Sequence, residues 1–369
     1  MVKTNPDEKY MEFAIQLAEL GRGFTSPNPL VGAVIVKKGR IVGVGYHKKQ
    51  GLPHAEVNAI FDARGHTKGA TMYVTLEPHS FYGHQPPCTR AIIRAGIKRV
   101  VIGAIDPNPL VNGSGVRQLQ EAGIEVKVGV LEDKVREQNE VYFKYTKTSL
   151  PFVYLKLAAT LDGFIADYKK KSQWISGRKS RKLDHKWRGE VDAVAVGKGT
   201  LLHDDPQLTP RDVYPARSPV RVIIAGKIDF DPNFKVFDTE VAETVLITVD
   251  NPQNKVAAEK FENVGVNVWF VNPNEKGKVD LLSAIKLMGE RGIRSVLFEG
   301  GAHISGELIE KDLWDKMYLF FSPIFLGNGL NMLEGVKREL GESKKFRIAS
   351  VERIEEDILL VLKNERENN

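Results

Sequence analysis

Apolar and polar positions along the chain follow two periods, and their alternation predicts the elements. Residues 11–20 (MEFAIQLAEL) carry apolar side chains at helical spacing and stop at Gly21, a helix C-terminal signal. Residues 31–36 (VGAVIV) and 41–46 (IVGVGY) read as strands, joined by a hairpin-length KKGR. A helix is expected from His54, a strand over 71–75 (TMYVT), a helix over Cys88–Ala95 and a strand over Arg99–Gly103. A further helix–strand–helix runs to about Tyr145. Alternation of this kind makes a layered α/β domain. A short polar link ending at Pro151 divides the chain, which places one domain over residues 1–147 and another over 151–369.

The second domain opens on a strand, 152–157 (FVYLKL), and stays α/β. A helix is predicted over 178–188, core strands at 193–196, 220–224, 244–249 and 295–298, and a helix near 280–289. Val31, Val34, Val194 and Val196 read as core. There is no internal repeat and no low-complexity tract.

Composition narrows the class. A chain of 369 residues with 42% hydrophobic and 27% charged residues has the make-up of a two-domain globular protein. No apolar run reaches the length of a membrane span and residues 1–15 lack a signal-peptide core, so a cytoplasmic protein with no membrane partner is expected. Its one cysteine, Cys88, allows no intrachain disulfide. The net charge of +6 is uneven: residues 1–150 hold 20 Lys and Arg against 14 Asp and Glu, and the remainder is balanced at 33 of each. A basic first half fits a phosphorylated substrate, a nucleic acid or simply a solvated surface.

Three pieces of that half carry candidate chemistry: His54-Ala55-Glu56, Pro78-His79 and Pro87-Cys88. His-x-Glu alone says little; what adds information is that each piece is expected to precede or open a helix, where a cluster can converge. Hydrolytic deamination needs water to attack a carbon bearing an exocyclic amine. A metal with three protein ligands leaves a position for water and lowers its pKa to about 7. A carboxylate that is not a ligand then moves the protons. Zinc deaminases in general use this arrangement, as H-x-E followed by P-C-x-x-C.

Residues 75–88 (TLEPHSFYGHQPPC), with 27–29 (PNP), 54–56 (HAE) and 106–109 (DPNP), resemble the bifunctional riboflavin-biosynthesis deaminase/reductase family, and the likeness runs over nearly the whole chain. The resemblance implies a cytidine-deaminase-like N-terminal domain with one zinc held by His54, His79 and Cys88, and Glu56 as the proton-transfer residue. The family normally has cysteine where this chain has His79. An imidazole there suits zinc but also iron, copper or nickel, and one fewer negative ligand leaves more positive charge on the ion, which acidifies its water. The alternative is that His79 is not a ligand and the site is decayed. Phe81 and His84 also depart from the family, which has a histidine and a basic residue there, near the substrate's ribose phosphate. Asn28 and His47 keep the pattern and are candidates to hydrogen-bond the substrate, although His47 reads equally as a surface histidine.

The second half has neither a G-x-G-x-x-G after a strand nor a P-loop. It has 299–301 (EGG) between a strand and a predicted helix, where backbone N–H groups can approach a phosphate. Residues 156–163 (KLAATLDG), 172–175 (SQWI), 199–206 (GTLLHDDP) and 298–301 (FEGG) resemble the reductase half of the same family, similar in fold to dihydrofolate reductase, which binds NADPH without the Rossmann motif. The resemblance implies NADPH contacts at Ala159, Trp174, Thr200, Asp204, Gly301 and Ala302, and substrate contacts at Ser172, Arg188, Arg211 and Glu299. Gly226 stands where the family often has serine. Arg188 and Arg211 are suited to gripping a substrate phosphate in forked fashion. Lys156, Asp204 and Glu299 are the polar candidates for proton handling, unranked by sequence.

The expected function is therefore deamination of a phosphoribosylated diaminopyrimidine, followed by NADPH reduction of the ribosyl group to ribityl. A homo-oligomer, dimer or tetramer, is implied by the resemblance, with no nucleic-acid partner. Two rivals remain. A nucleic-acid base deaminase fits the basic first half but calls for aromatic and basic stretches along a strand track. A reductase carrying a decayed, structural deaminase domain would differ in metal content.

Overall fold

The structure is a computed structural model that describes residues 5–83, 85–213 and 217–365. The chain divides into two compact units, Met1–Ser149 and Leu150–Asn369. Among the described residues no helix is long and apolar enough to cross a membrane.

The first unit is built on five strands: β1 (Gly32–Lys37), β2 (Arg40–Tyr46), β3 (Thr71–Leu76), β4 (Arg99–Ala104) and β5 (Glu125–Val128), in the order β2-β1-β3-β4-β5. β1 pairs antiparallel with β2 and β3, while β3, β4 and β5 are parallel. The helices are α1 (Pro6–Glu19), α2 (Ala55–Asp62), α3 (Cys88–Arg94), α4 (Ser114–Glu121), α5 (Glu132–Gln138) and α6 (Glu140–Thr148). Asn5 caps α1 by accepting from the Asp7 N–H, and Pro6 takes the first helical position. The Asp7 carboxylate then receives both arms of the Arg99 fork at 2.9 Å, the Lys127 ammonium at 2.8 Å and the Tyr73 hydroxyl at 3.1 Å, tying α1 to β3, β4 and β5. The helix that carries the His-Ala-Glu motif sits very close to its strand. A Cβ on Gly43 or Gly45 of β2 would lie 2.4 Å from the carbonyl oxygens of Ala59 or Ala55, so only glycine admits α2 and its small Ala55/Ala59/Ala63 face at this distance.

The second unit has one nine-stranded sheet. In chain order its elements are β6 (Phe152–Thr160), β7 (Phe164–Asp167), α7 (Arg178–Arg188), β8 (Ala193–Gly197), α8 (Lys198–Asp204), β9 (Val220–Ala225), β10 (Thr244–Val249), α9 (Pro252–Glu262), β11 (Asn267–Val271), α10 (Leu281–Glu290), β12 (Ser295–Glu299), α11 (Ala302–Glu310), β13 (Lys316–Ser322), β14 (Gly329–Asn331), β15 (Arg347–Ile354) and β16 (Asp357–Lys363). The sheet order is β11-β10-β9-β8-β12-β6-β13-β16-β15, parallel from β11 through β13 and antiparallel at the last two pairings. β8 and β12 are buried at every position. Strands buried on both faces read as unbroken apolar runs, and these central strands are the ones the sequence pattern finds. The short β7–β14 ladder and the terminal strands β13, β15 and β16 lie outside that pattern; β15, for one, is exposed or half-exposed at every residue.

Candidate functional site

The first site forms where β3 ends and two helices begin. His54 is the N-cap residue of α2 and Cys88 opens α3. His79 departs from expectation: it opens no helix but sits in the loop between β3 and α3, eight residues after the strand begins. His54, His79 and Cys88 each offer one ligand atom, all within 4.8 Å of one another. The His54 Nδ1 and Cys88 Sγ atoms are 3.5 Å apart and the His54 and His79 rings are 4.8 Å apart, centre to centre. A tetrahedral ion about 2.1 Å from nitrogen and 2.3 Å from sulfur separates such donors by roughly 3.6 Å, so this set fits zinc. Glu56, buried on the first turn of α2, has its Oε2 without a hydrogen-bond partner among the described residues. An orphaned carboxylate oxygen beside three ligand atoms is what a proton-transfer residue next to a metal looks like.

Electrostatics agrees with that donor set. Burial, then the neighbouring His79 and His47, lowers His54 to about 4, and burial lowers His79. Both imidazoles are thus held neutral, the ligating form. Burial pushes Glu56 up to about 6, and burial with the adjacent Glu56 raises the Cys88 thiol. A dication at this point reverses the penalty on the thiolate.

Asn28 and His47 stand beside the triad as a bonded pair. The Asn28 amide nitrogen donates to His47 Nε2 at 3.0 Å, which leaves Nδ1–H to donate to the Pro53 carbonyl at 3.3 Å. His47 is 2% exposed, which removes the surface reading. Its ring meets His54 edge-on at 5.1 Å. The Phe81 ring packs edge-on against His79 at 5.7 Å; His84 lies outside the described residues. One residue escaped the sequence reading. Buried Glu77 accepts from the backbone N–H groups of Asp106 (3.3 Å), Gly113 (2.9 Å), Gly115 (2.9 Å) and Val116 (3.2 Å). It pins the 106–109 turn and the start of α4 beneath the metal loop. Its place at the end of a strand, two residues before His79, was the available signal.

The second unit holds a cavity of about 1030 Å³ at the C-terminal ends of β6, β8, β9 and β12. Trp174, Thr200, Asp204, Gly301, Ala302, Ser172, Arg188, Arg211, Lys156 and Glu299 all line it. Ala159 does not: it is fully buried within β6, and Ala158 takes the wall position. Gly300 and Gly301 adopt φ of +62° and +82°, and a Cβ on Gly301 would stand 3.3 Å from Thr200 Oγ1, so the backbone before α11 is kept bare where a phosphate can approach. Lys278 and His303 meet at 3.1 Å on the same wall. This cationic, glycine-opened wall fits a polyanionic dinucleotide.

On the opposite side the Ser172 hydroxyl donates to Asp204 Oδ1 at 2.8 Å. The Arg188 fork is already engaged: Nε and Nη2 donate to the two Glu299 oxygens at 2.5 and 2.6 Å, and Nη1 lies 3.3 Å from the Thr209 carbonyl. A forked grip by Arg188 on a phosphate is therefore not available in this geometry. Arg211 is exposed and lines the same cavity, where its charge adds to burial and Arg188 in lowering the neighbouring His185.

A family model described as the cytidine and deoxycytidylate deaminase zinc-binding region matches residues 4–104, and one for the RibD C-terminal domain matches residues 151–360. The riboflavin biosynthesis protein RibD of Aquifex aeolicus (strain VF5) is 43% identical over 357 residues, covering 97% of this chain and 98% of the relative. The chain belongs to the RibD family. The Escherichia coli (strain K12) member is 36% identical over 371 residues, covering 96% of this chain and 99% of its own. A solved Thermotoga maritima structure, titled diaminohydroxyphosphoribosylaminopyrimidine deaminase/5-amino-6-(5-phosphoribosylamino)uracil reductase, superposes with a TM-score of 0.88 at 39% identity, covering 97% and 98% of the two chains. Acinetobacter baumannii RibD gives 0.87 at 33% identity, with the same coverage. As a RibD-family protein the chain is a bifunctional deaminase and reductase of riboflavin biosynthesis, with a zinc-binding deaminase region and a small-molecule substrate. Zinc and NADPH are the cofactors that its two domains fit.

Proposed function

We propose that residues 1–147 hydrolytically deaminate 2,5-diamino-6-(phosphoribosylamino)pyrimidin-4-one and that residues 151–369 reduce the ribosyl group of the product to ribityl. The observation that carries the reading is the pairing of a buried, unpartnered Glu56 with the His54/His79/Cys88 donor set. When bound there, zinc supplies a Lewis acid that activates the attacking water. Glu56 takes the water's proton and returns it to the ring and to the departing ammonia, a shuttle suited to a carboxyl whose burial holds it near 6. Asn28, oriented by His47, offers its amide oxygen to the pyrimidine edge.

In the second unit NADPH supplies the two reducing electrons when bound. Thr200, Gly301 and Ala302 seat its phosphates, and Trp174 and Asp204 border it. Arg211 takes the substrate phosphate, with Ser172 and the Arg188–Glu299 pair facing the ribosyl group. Asp204 is occupied by Ser172 and Glu299 by Arg188, while Lys156 stands in a looser 3.6 Å ion pair with Asp184 and is the side chain placed to donate the proton. The reading includes a cytoplasmic homo-oligomer, dimer or tetramer, with no nucleic-acid partner; its support is the likeness to RibD proteins over nearly the whole chain.

The test separates the two chemistries. Glu56→Gln keeps shape and removes the base, so ammonia release should fall by about 10²–10⁴, while NADPH oxidation with the already deaminated aminouracil continues. Glu299→Gln should do the reverse. Each variant must keep wild-type thermal stability, and metal analysis should find close to one zinc per chain. A well-folded Glu56→Gln protein that lost both activities would refute independent sites.

A further inference from the structure

Asp184 belongs to none of the motifs discussed above, yet it lies at the centre of the charges buried in the reductase cavity wall. Helix α7 presents Asp184 and Arg188 one turn apart. Lys156 and Glu299 are register partners on the adjacent parallel strands β6 and β12 and face the same side. The four side chains are 6–15% exposed. Asp184 Oδ2 lies 3.2 Å from Arg188 Nη2 and 3.6 Å from Lys156 Nζ. Its other oxygen, Oδ1, is buried with no hydrogen-bond partner among the described residues.

The charges balance as two cations and two carboxylates, and the pairing inside the cluster is unequal. Glu299 is saturated by the Arg188 fork at 2.5 and 2.6 Å, so the carboxylate left for the Lys156 ammonium is that of Asp184. Leaving a buried carboxylate oxygen bare is costly, and folds avoid it unless the group serves a purpose. Spare acceptor capacity beside a lysine is such a purpose, because the ammonium can swing toward a ligand without losing its counter-charge.

We propose that Asp184 is a positioning residue for the reduction, holding the Lys156 ammonium at the cavity wall so that it protonates the sugar ring oxygen. The inference rests on Lys156 as the proton donor. In that step the C1′–O4′ bond breaks and its electron pair passes to O4′, which takes the proton from Lys156. C1′ takes a hydride from the reduced nicotinamide, leaving NADP⁺, and solvent restores the lysine proton. Without Asp184 the cluster keeps two cations and one carboxylate already forked by Arg188, and the ammonium turns toward solvent.

Asp184→Asn, assayed in the full chain with the deaminated aminouracil, should lower kcat about tenfold or more, with KM for the aminouracil within about threefold of wild type. The Kd for NADPH, read by quenching of tryptophan fluorescence, should not move, and neither should ammonia release. Asp184→Glu, which keeps the charge, should recover most of kcat. Lys156→Ala should lose about 10²–10⁴ in kcat, as expected of a lost proton donor. Adding Asp184→Asn to Lys156→Ala should cost nothing more, since one residue acts through the other. Should Asp184→Asn alone melt below the assay temperature, the charge-neutral double variant is compared with Lys156→Ala, and Asp184→Glu carries the single-site reading. Losses that multiply in the double variant, or wild-type kcat in Asp184→Asn beside a damaged Lys156→Ala, would overturn the inference alone. Full activity in Lys156→Ala would overturn the donor assignment and the inference together.

Discussion

Replacing Glu77 by glutamine tests whether a carboxylate with no role in the chemistry holds the deaminase site together. Each Glu77 oxygen accepts two backbone N–H groups, Oε2 from Asp106 and Gly113 and Oε1 from Gly115 and Val116. Glutamine is the same size but has one acceptor oxygen and one NH2 donor. Whichever way the amide turns, two backbone donors face another donor, and one of them loses a 2.9 Å bond. Two such N–H groups stripped of their acceptor cost about 1–3 kcal/mol each, so the unit should lose about 2–6 kcal/mol. For a unit of this size that is roughly 4–24 °C in Tm. The damage should also reach the metal loop. A Cβ on Gly115 would lie 2.0 Å from the Pro78 carbonyl oxygen, so α4 cannot relax without disturbing the residue before His79. Calorimetry with and without NADPH assigns the transitions, since the cofactor stabilises only the unit that binds it. Zinc release to a chromogenic chelator should accelerate in parallel. Glu121→Gln, an exposed charge loss on the same helix, is the control and should stay within about 0.5 kcal/mol of wild type. A Glu77→Gln protein that melts within about 2 °C of wild type, equivalent to roughly 0.5–1 kcal/mol, would refute the reasoning.

Acid should find the other carboxylate. The Arg99 fork, with Lys127 and Tyr73, holds Asp7 well below the usual carboxylate range. A depressed folded pKa gives stability that is complete above the ordinary value of 3.8 and is lost as pH falls below it, so the wild-type melting temperature should drop more steeply from pH 4 to 2 than that of Asp7→Asn; parallel curves would contradict this. On the reductase wall, Lys278 and His303 form the cationic corner we assign to the 2′-phosphate of NADPH. Lys278→Ala should weaken NADPH by about 1.5–3 kcal/mol, a charge-assisted bond, and leave NADH binding as it was; an equal loss for both cofactors would place the phosphate elsewhere.

How much of this was legible in the sequence depends on whether a feature is local. The α7 helix occurs over Arg178–Arg188 as its pattern predicts, and β10 over Thr244–Val249, because each is set by its own periodicity. His54 and Cys88 open helices, and chain position alone conveys that. His79 did not follow the rule: it lies in a loop that Glu77 ties to the α4 start, through contacts 36 and 38 residues distant in the chain. The same holds for β13, β16 and β15, whose register is set by partners distant in the chain, β13 lying parallel to β6 and β16 and β15 adding antiparallel beyond it, rather than by a pattern of their own.

Arg188 and the charge balance show why residue types at the right positions do not settle roles. A forked cation near a phosphate-binding motif reads as a phosphate ligand, yet its fork is spent on Glu299, because two buried charges 2.5 Å apart satisfy each other before any ligand arrives. Net charge misleads in the same way. The sequence assigns its whole basic excess to residues 1–150 and leaves the second half neutral at 33 against 33. Within that neutral half, nine lysines and arginines against six carboxylates line one cavity. The field that attracts a polyanion is set by this local segregation, inside walls of low dielectric, and not by the sum over the domain. Folding thus gathers a cationic surface from a half that carries no excess charge at all.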